Sequence, residues 1–212
     1  MPNVTYPVSA AVLAGGLSRR MGQDKALLTL EGDNVPLIER VLERVRAVAD
    51  DVTIIASDRD HYAAFGADIV PDAYPGTGTL GGIATALRAA RHERCLVVPC
   101  DLPFLNARLL AEMTHRSGDW DVLAPRISGE SRQGRGQIVQ TLHAVYGKRC
   151  LPTIERRLEA GQLKVIGFFD DVEVAYIEEG EVRRFDPHLL TFFNANTPEA
   201  AAEAGRLLAG RG

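Results

Sequence analysis

The sequence predicts an α/β protein, a three-layer sandwich whose central sheet is mostly parallel and Rossmann-like. Short apolar runs of strand length at residues 8–13, 51–56, 68–70 and 95–100 alternate with segments whose apolar residues recur at helical spacing. Strands that alternate with helices call for parallel pairing through right-handed crossovers, with helices on both faces of the sheet. A glycine-rich loop also follows the first strand. In such a sheet ligands bind outside the carboxyl ends of the strands, where the strand order switches.

The chain has 212 residues, 46% hydrophobic and 25% charged, which suits a single domain with a core that needs no staples. A formal charge of −4 argues against a general nucleic-acid binder, so the basic groups matter for where they cluster. Cys95, Cys100 and Cys150 are an odd number with no CxxC or His spacing, which supports neither a disulfide framework nor a zinc site and fits a reducing cytoplasm. The N-terminus lacks a basic stretch followed by an apolar one, and no apolar run approaches the about 18 residues of a membrane span. A cytoplasmic protein that engages neither membrane nor nucleic acid is expected.

The first strand opens into Leu13-Ala14-Gly15-Gly16-Leu17-Ser18-Arg19-Arg20-Met21-Gly22-Gln23-Asp24-Lys25. Glycines here let backbone N–H groups approach an anion, and Arg19, Arg20 and Lys25 offset the charge of a polyphosphate. The loop is neither a Walker A sequence nor GxGxxG. It resembles the N-terminal LAGGxSxRMGxDK signature of the molybdenum cofactor guanylyltransferases, within the wider nucleotidyltransferase group. Arg20, Met21, Gly22, Asp24 and Lys25 fall on fixed positions of that pattern and Arg19 on a variable one. The resemblance implies the nucleotidyltransferase version of the fold, with a nucleotide-binding half at about residues 1–105 and an acceptor-binding half at about 106–212.

Pro36 sits where a first-turn proline would, and Leu37, Ile38, Val41, Leu42, Val45 and Val48 give one apolar helix face, a scaffold element. After the third strand, Asp72 is either a turn former or an acceptor for a nucleotide base or sugar, and the resemblance favours the second. Residues 76–83, GTGTLGGI, read as a second glycine-rich loop leading into a helix that runs through Ile83, Ala86, Leu87 and Ala90. The loop resembles the family's Gly-Pro-Leu-Gly-Gly-Ile segment with Thr79 in place of proline, and Gly81 is its nucleotide contact. Asp101 stands at the carboxyl end of the fourth strand. A carboxylate there, facing phosphate loops, is where Mg²⁺ is expected, since Mg²⁺ takes one or two carboxylates with phosphate oxygens and water. The alternative is a cap before Pro103.

A helix over 106–115 and a strand over 120–124 follow. Residues 126–137 are polar, contain Arg126, Arg132 and Arg135, and read as a solvated loop or as a lid for an anionic second substrate. The segment Gln140-Thr141-Leu142-His143-Ala144-Val145-Tyr146 reads as a strand resembling the family's Gln-Pro-Leu-His-Ala-Val-Tyr. Its His143 is a general base, a structural residue or a substrate-facing one. Leu151, Ile154 and Leu158 give a helix, and residues 172–177 a late strand. Residues 194–199, NANTPE, resemble a further family signature. Thr197 caps a helix with Pro198 at its first position, while Asn194 and Asn196 can reach a metal or a phosphate.

Together the resemblance implies transfer of GMP from GTP to the phosphate of molybdenum-bound molybdopterin with release of pyrophosphate. The implied catalytic residues are Lys25, Asp101 and Arg20, with Asp101 on Mg²⁺. Nucleotide-binding positions are Leu13, Ala14, Gly15, Gly16, Lys25, Asp72, Gly81, Asp101, Asn194 and Asn196. The partner implied beyond the substrates is a molybdoenzyme or its chaperone. The rival readings are a cytidylyltransferase on the same cofactor, a sugar-phosphate nucleotidyltransferase, and a non-catalytic adaptor. Retention of Lys25 with Asp101 argues against the adaptor.

Overall fold

The computed structural model describes residues 7–14, 24–32, 34–57, 60–131 and 134–210. Arg20, Gly15 and Gly16, with the rest of 15–23, lie outside them.

The chain forms β1 (Ser9–Leu13), α1 (Leu37–Arg46), β2 (Asp51–Ile55), β3 (Asp68–Val70), α2 (Gly78–Ala89), β4 (Arg94–Pro99) and α3 (Ala107–His115) in its first half. β5 (Val122–Ser131), β6 (Gly134–Val139), β7 (Ala144–Gly147), α4 (Leu151–Glu159), β8 (Val174–Glu178), α5 (Glu179–Val182) and α6 (Pro198–Ala209) complete it. The sheet runs β3-β2-β1-β4-β7-β5-β6, with β8 also on β5. β1 to β4 are mutually parallel. β7 is antiparallel to both β4 and β5, and β8 is parallel to β5, so the sheet is mixed with a parallel centre.

Period-two alternation along the central strands divides the core between the two faces. Ala10, Val12, Leu96 and Val98 face a cluster with Ile38, Val41, Leu42 and Val45 of α1 and Leu109, Leu110 and Met113 of α3. Ala11, Cys95 and Val97 face Leu80, Ile83, Ala84 and Leu87 of α2 and Ile154 of α4. The result is the three-layer sandwich. A third, smaller cluster joins Leu30, Leu37, Phe104, Ala195 and Ala204, seating α6 against the 28–37 segment. Among the described residues no helix is long and apolar enough to cross a membrane.

Three local expectations are corrected. Helix α2 begins at Gly78, so Gly81 and Gly82 lie inside it and not in a loop before it. Its buried stripe starts at Leu80 and continues through Ile83, Ala84 and Leu87, and burial against the sheet outweighs the poor helix propensity of three glycines. The polar stretch after Arg126 forms a two-stranded ribbon, β5 against β6 from Arg126↔Val139 to Ser131↔Gly134. Residues 140–143 form a turn, and β7 starts only at Ala144.

Candidate active site

The strand ends that form the site are set by the parallel register. Leu13 aligns with Ile55 and with Pro99, and Ile55 aligns with Val70. The ladder continues one step further: Ala14 N donates to Ile55 O (3.0 Å), Ala56 N to Val70 O (3.1 Å) and Cys100 N to Leu13 O (3.2 Å). The chain leaves β1 towards β2 and β3 and then returns across β1 to β4, so the order switches between β1 and β4. The crevice of a doubly wound sheet lies at that point.

Asp101 is half-buried, and its Oδ1 accepts from Asn194 Nδ2 at 3.1 Å. The backbone reinforces the contact, because Ala195 N donates to the Asp101 carbonyl at 2.9 Å. Loss of water around the carboxyl raises its pKa above the usual aspartate value, while the Asn194 amide and the charge of Lys25 act in the opposite direction. A desolvated carboxylate whose nearest hydrogen-bond donor is a neutral amide is short of positive charge. That suits a hard divalent cation. Among the described residues no group of three or more His, Cys, Asp or Glu could hold a metal alone.

Lys25 opens a short 3-10 turn, Lys25–Leu27, whose cap is Asp24: its Oδ1 accepts from Ala26 N at 3.0 Å. The other carboxylate oxygen of Asp24 accepts from the Tyr62 hydroxyl at 2.5 Å, and that hydroxyl lies 3.2 Å from the Ala14 carbonyl oxygen. Tyr62 is buried in the 3-10 segment Asp60–Phe65. Nothing in the polar run around it distinguishes Tyr62 in the sequence, because its partners lie 38 and 48 residues away.

The remaining expected residues divide into those the structure brings to Asp101 and those it uses elsewhere. Asn194 is at Asp101, whereas Asn196 is exposed nearby with no side-chain hydrogen bond among the described residues. Asp72 forms a turn, its Oδ1 accepting from Tyr74 N and Thr85 Oγ1, each at 2.9 Å. That leaves its second oxygen for a ligand. The Leu13 side chain packs beneath α2, where a Cβ added at Gly82 would come within 3.1 Å of it. Ala14 has its N–H in the ladder and its carbonyl at Tyr62. Gly81 is buried under its own preceding loop, and an added Cβ would overlap Thr77 Oγ1 and come within 3.0 Å of the Tyr74 carbonyl. Its lack of a side chain serves packing at this position.

His143 is 1% exposed, with neither ring nitrogen finding a hydrogen-bond partner among the described residues and its ring edge-on to Phe192 at 5.0 Å. Burial alone lowers its pKa to about 3, so it is neutral and sealed from substrate. Arg126, expected in a lid, is paired with Glu178 and stacked at 4.2 Å on Tyr176, and Arg135 pairs with Glu130. Arg132 lies outside the described residues.

A mixed sheet with a parallel centre that brings a carboxylate, a lysine and an amide together at its strand-order switch has the layout of a nucleotide-handling protein. Comparison with known proteins agrees. The family model described as the MobA-like NTP transferase domain matches residues 10–172. The chain is 39% identical over 196 residues to a probable molybdenum cofactor guanylyltransferase of Pelotomaculum thermopropionicum, covering 92% of this chain and 91% of that one. It is 35% identical over 208 residues to the molybdenum cofactor guanylyltransferase of Desulfosudis oleivorans, covering 94% and 98%. Among solved structures, molybdopterin-guanine dinucleotide biosynthesis protein A of Archaeoglobus fulgidus superposes with a TM-score of 0.76 at 27% identity, over 95% of this chain and 99% of that one. The chain belongs to the MobA-like NTP transferase family, and it is a nucleotidyltransferase.

Proposed function

We propose that this enzyme transfers GMP from GTP to the terminal phosphate of molybdenum-bound molybdopterin in the cytoplasm. One observation carries the reading: Asp101, Asn194 and Lys25, from three distant segments of the chain, converge at the strand-order switch of a protein 39% identical to a probable guanylyltransferase of that cofactor. An oxygen of the acceptor phosphate attacks the α-phosphorus of GTP, the bond to the bridging β-phosphate oxygen breaks, and pyrophosphate leaves. Lys25 places its charge against the triphosphate, with Arg20 and the backbone of Gly15 and Gly16 assigned to the same phosphates. Asp101, held by Asn194, would bind Mg²⁺; when bound, Mg²⁺ offsets the negative charge on the phosphates as the group is transferred.

Asp72 is assigned to the nucleoside through its unused carboxylate oxygen. The nucleotide-binding half is about residues 1–105 and the acceptor half about 106–212, with Asn194 and Asn196 as the contribution of the second half. Delivery to a molybdoenzyme or its chaperone follows product formation. Burial pushes the Cys95 and Cys150 thiols up to about 12, so both are poor nucleophiles.

The test is pyrophosphate release with Mg²⁺ and molybdenum-loaded pterin, comparing GTP, CTP, ATP and UTP at equal concentration. Turnover with GTP alone supports the assignment. Turnover with CTP keeps the mechanism and overturns the base. Silence with all four moves the acceptor to another phosphate, such as a sugar phosphate.

A further inference from the structure

We propose that Tyr62 is a positioning residue for nucleotide binding, a buried strut that fixes Lys25 relative to the carboxyl end of β1. The inference rests on the nucleotidyl-transfer reading above. The Tyr62 side chain belongs to the core cluster beneath α1 and is 2% exposed, so its ring has no freedom to follow the surface. Its hydroxyl reaches two residues that flank the anion-binding segment, Ala14 on one side and Asp24 on the other. Ala14 is immobile because its N–H is in the sheet ladder. Asp24 holds the 3-10 turn that begins with Lys25, through the Ala26 amide. The chain of contacts is therefore sheet, tyrosine hydroxyl, Asp24 carboxylate, and the Ala26 amide of the turn that carries Lys25.

The hydroxyl has one proton, and the 2.5 Å separation assigns it mainly to the Asp24 carboxylate, with the Ala14 carbonyl at 3.2 Å a secondary acceptor. A hydroxyl donating to a carboxylate is stronger and more directional than a neutral pair. The other group facing this oxygen is His61, whose Nδ1 lies 4.0 Å away on an exposed side chain, beyond hydrogen-bond reach. Without the tyrosine hydroxyl the Asp24 carboxylate loses its tie to the core, and its cap on the Ala26 amide opens more often. The 3-10 turn then swings with Lys25 on it. Such outer contacts matter at phosphate sites because a lysine is a point charge whose effect depends on distance.

Tyr62→Phe in the full chain keeps the buried ring and removes only the hydroxyl. The expected result is a KM for GTP and a Kd for Mg²⁺–GTP each raised about 10-fold, the range for loss of an outer-shell contact. KM for the pterin acceptor should stay unchanged, and so should the melting temperature within a few degrees. Asp24→Asn, which weakens the bond from its other end, should raise KM for GTP in the same direction. Hydrogen exchange of the Ala26 amide, measured without nucleotide, should quicken in Tyr62→Phe. An unchanged KM for GTP in both variants, or a KM for acceptor that rises in parallel, overturns the proposal. If the unsubstituted protein binds no GTP, the functional reading falls by itself, and the Ala26 amide still decides the strut: unaltered protection in Tyr62→Phe overturns it.

Discussion

Acid should weaken this fold through His143 in a way that can be isolated by one substitution. The imidazole is 1% exposed, has no hydrogen-bond partner on either nitrogen among the described residues, and is shifted from 6.5 to about 3 by burial alone. Between those values the unfolded chain binds a proton that the native chain refuses. Stability is therefore full above about pH 6.5 and declines as the pH falls towards 3. At about pH 5 the native imidazole is still neutral and the unfolded one is almost wholly charged, so the loss is fixed by the unfolded value, at about 2 kcal/mol. The assay is urea unfolding of the unsubstituted protein and of His143→Leu at about pH 7.5 and about pH 5. Every other titrating group is common to both proteins, so the difference between their two pH losses is the contribution of His143. The substitution should cost little at the higher pH, because it also removes a buried donor and acceptor that have no partners. Equal pH losses in the two proteins would refute the reasoning, since they would show a histidine that is hydrated or paired in solution.

Three further outcomes are expected. Asp101→Ala should lower pyrophosphate release at least about 100-fold while the thermal melt is retained, because the carboxylate already bears a desolvation cost in the native state; full activity would remove Asp101 from the metal. Gly81→Ala should destabilise by about 1–3 kcal/mol through overlap with Thr77 Oγ1, and Thr77→Ala in the same chain should restore part of the loss in a denaturant titration. Asn106→Ala removes the acceptor for Arg108 N and Leu109 N at the start of α3 as well as a bond to the Phe185 carbonyl, and should cost about 1–2 kcal/mol by the same measurement.

The parts of this molecule that could be read from sequence are those whose signal is local. β1, β2, β3 and β4 are continuous apolar runs, and α1 carries five buried residues at helical spacing, so their type and position follow from period and length. The caps were equally legible: Thr197 accepts from Ala200 N at 3.2 Å and Pro198 opens α6, as a threonine followed by proline predicts. Pro36 stands one residue earlier than expected, at the cap of α1. Misreadings arose where tertiary contact outweighs composition. Glycines at 78, 81 and 82 argue for a loop, yet Gly78 opens α2 and the Leu80 stripe buries Gly81 and Gly82 within it. The β5–β6 ribbon has little alternation to betray it, with Ile127 opposite Ile138 as its apolar pair. Asp101 and Asn194, which the structure joins, stand out in the sequence because strand ends and pre-helix amides are recognisable places for polar chemistry. Tyr62 does not, because its role exists only after two remote segments have met.

The pairing of Asp101 with the 194–195 segment also fixes when the site can exist. The two partners are 93 residues apart, and the bonds that join them, Asn194 to the carboxylate and Ala195 to the carbonyl, close the longest loop of the candidate site. Loop closure over such a span carries an entropy cost that local elements do not, so this contact is expected to form later than the hairpin β5–β6 and the helices. During synthesis Asp101 lacks its amide partner until residue 194 has emerged, so the pair proposed to hold a cation is completed late. A chain stopped short of residue 194 would keep most of its core and lack this half of its chemistry.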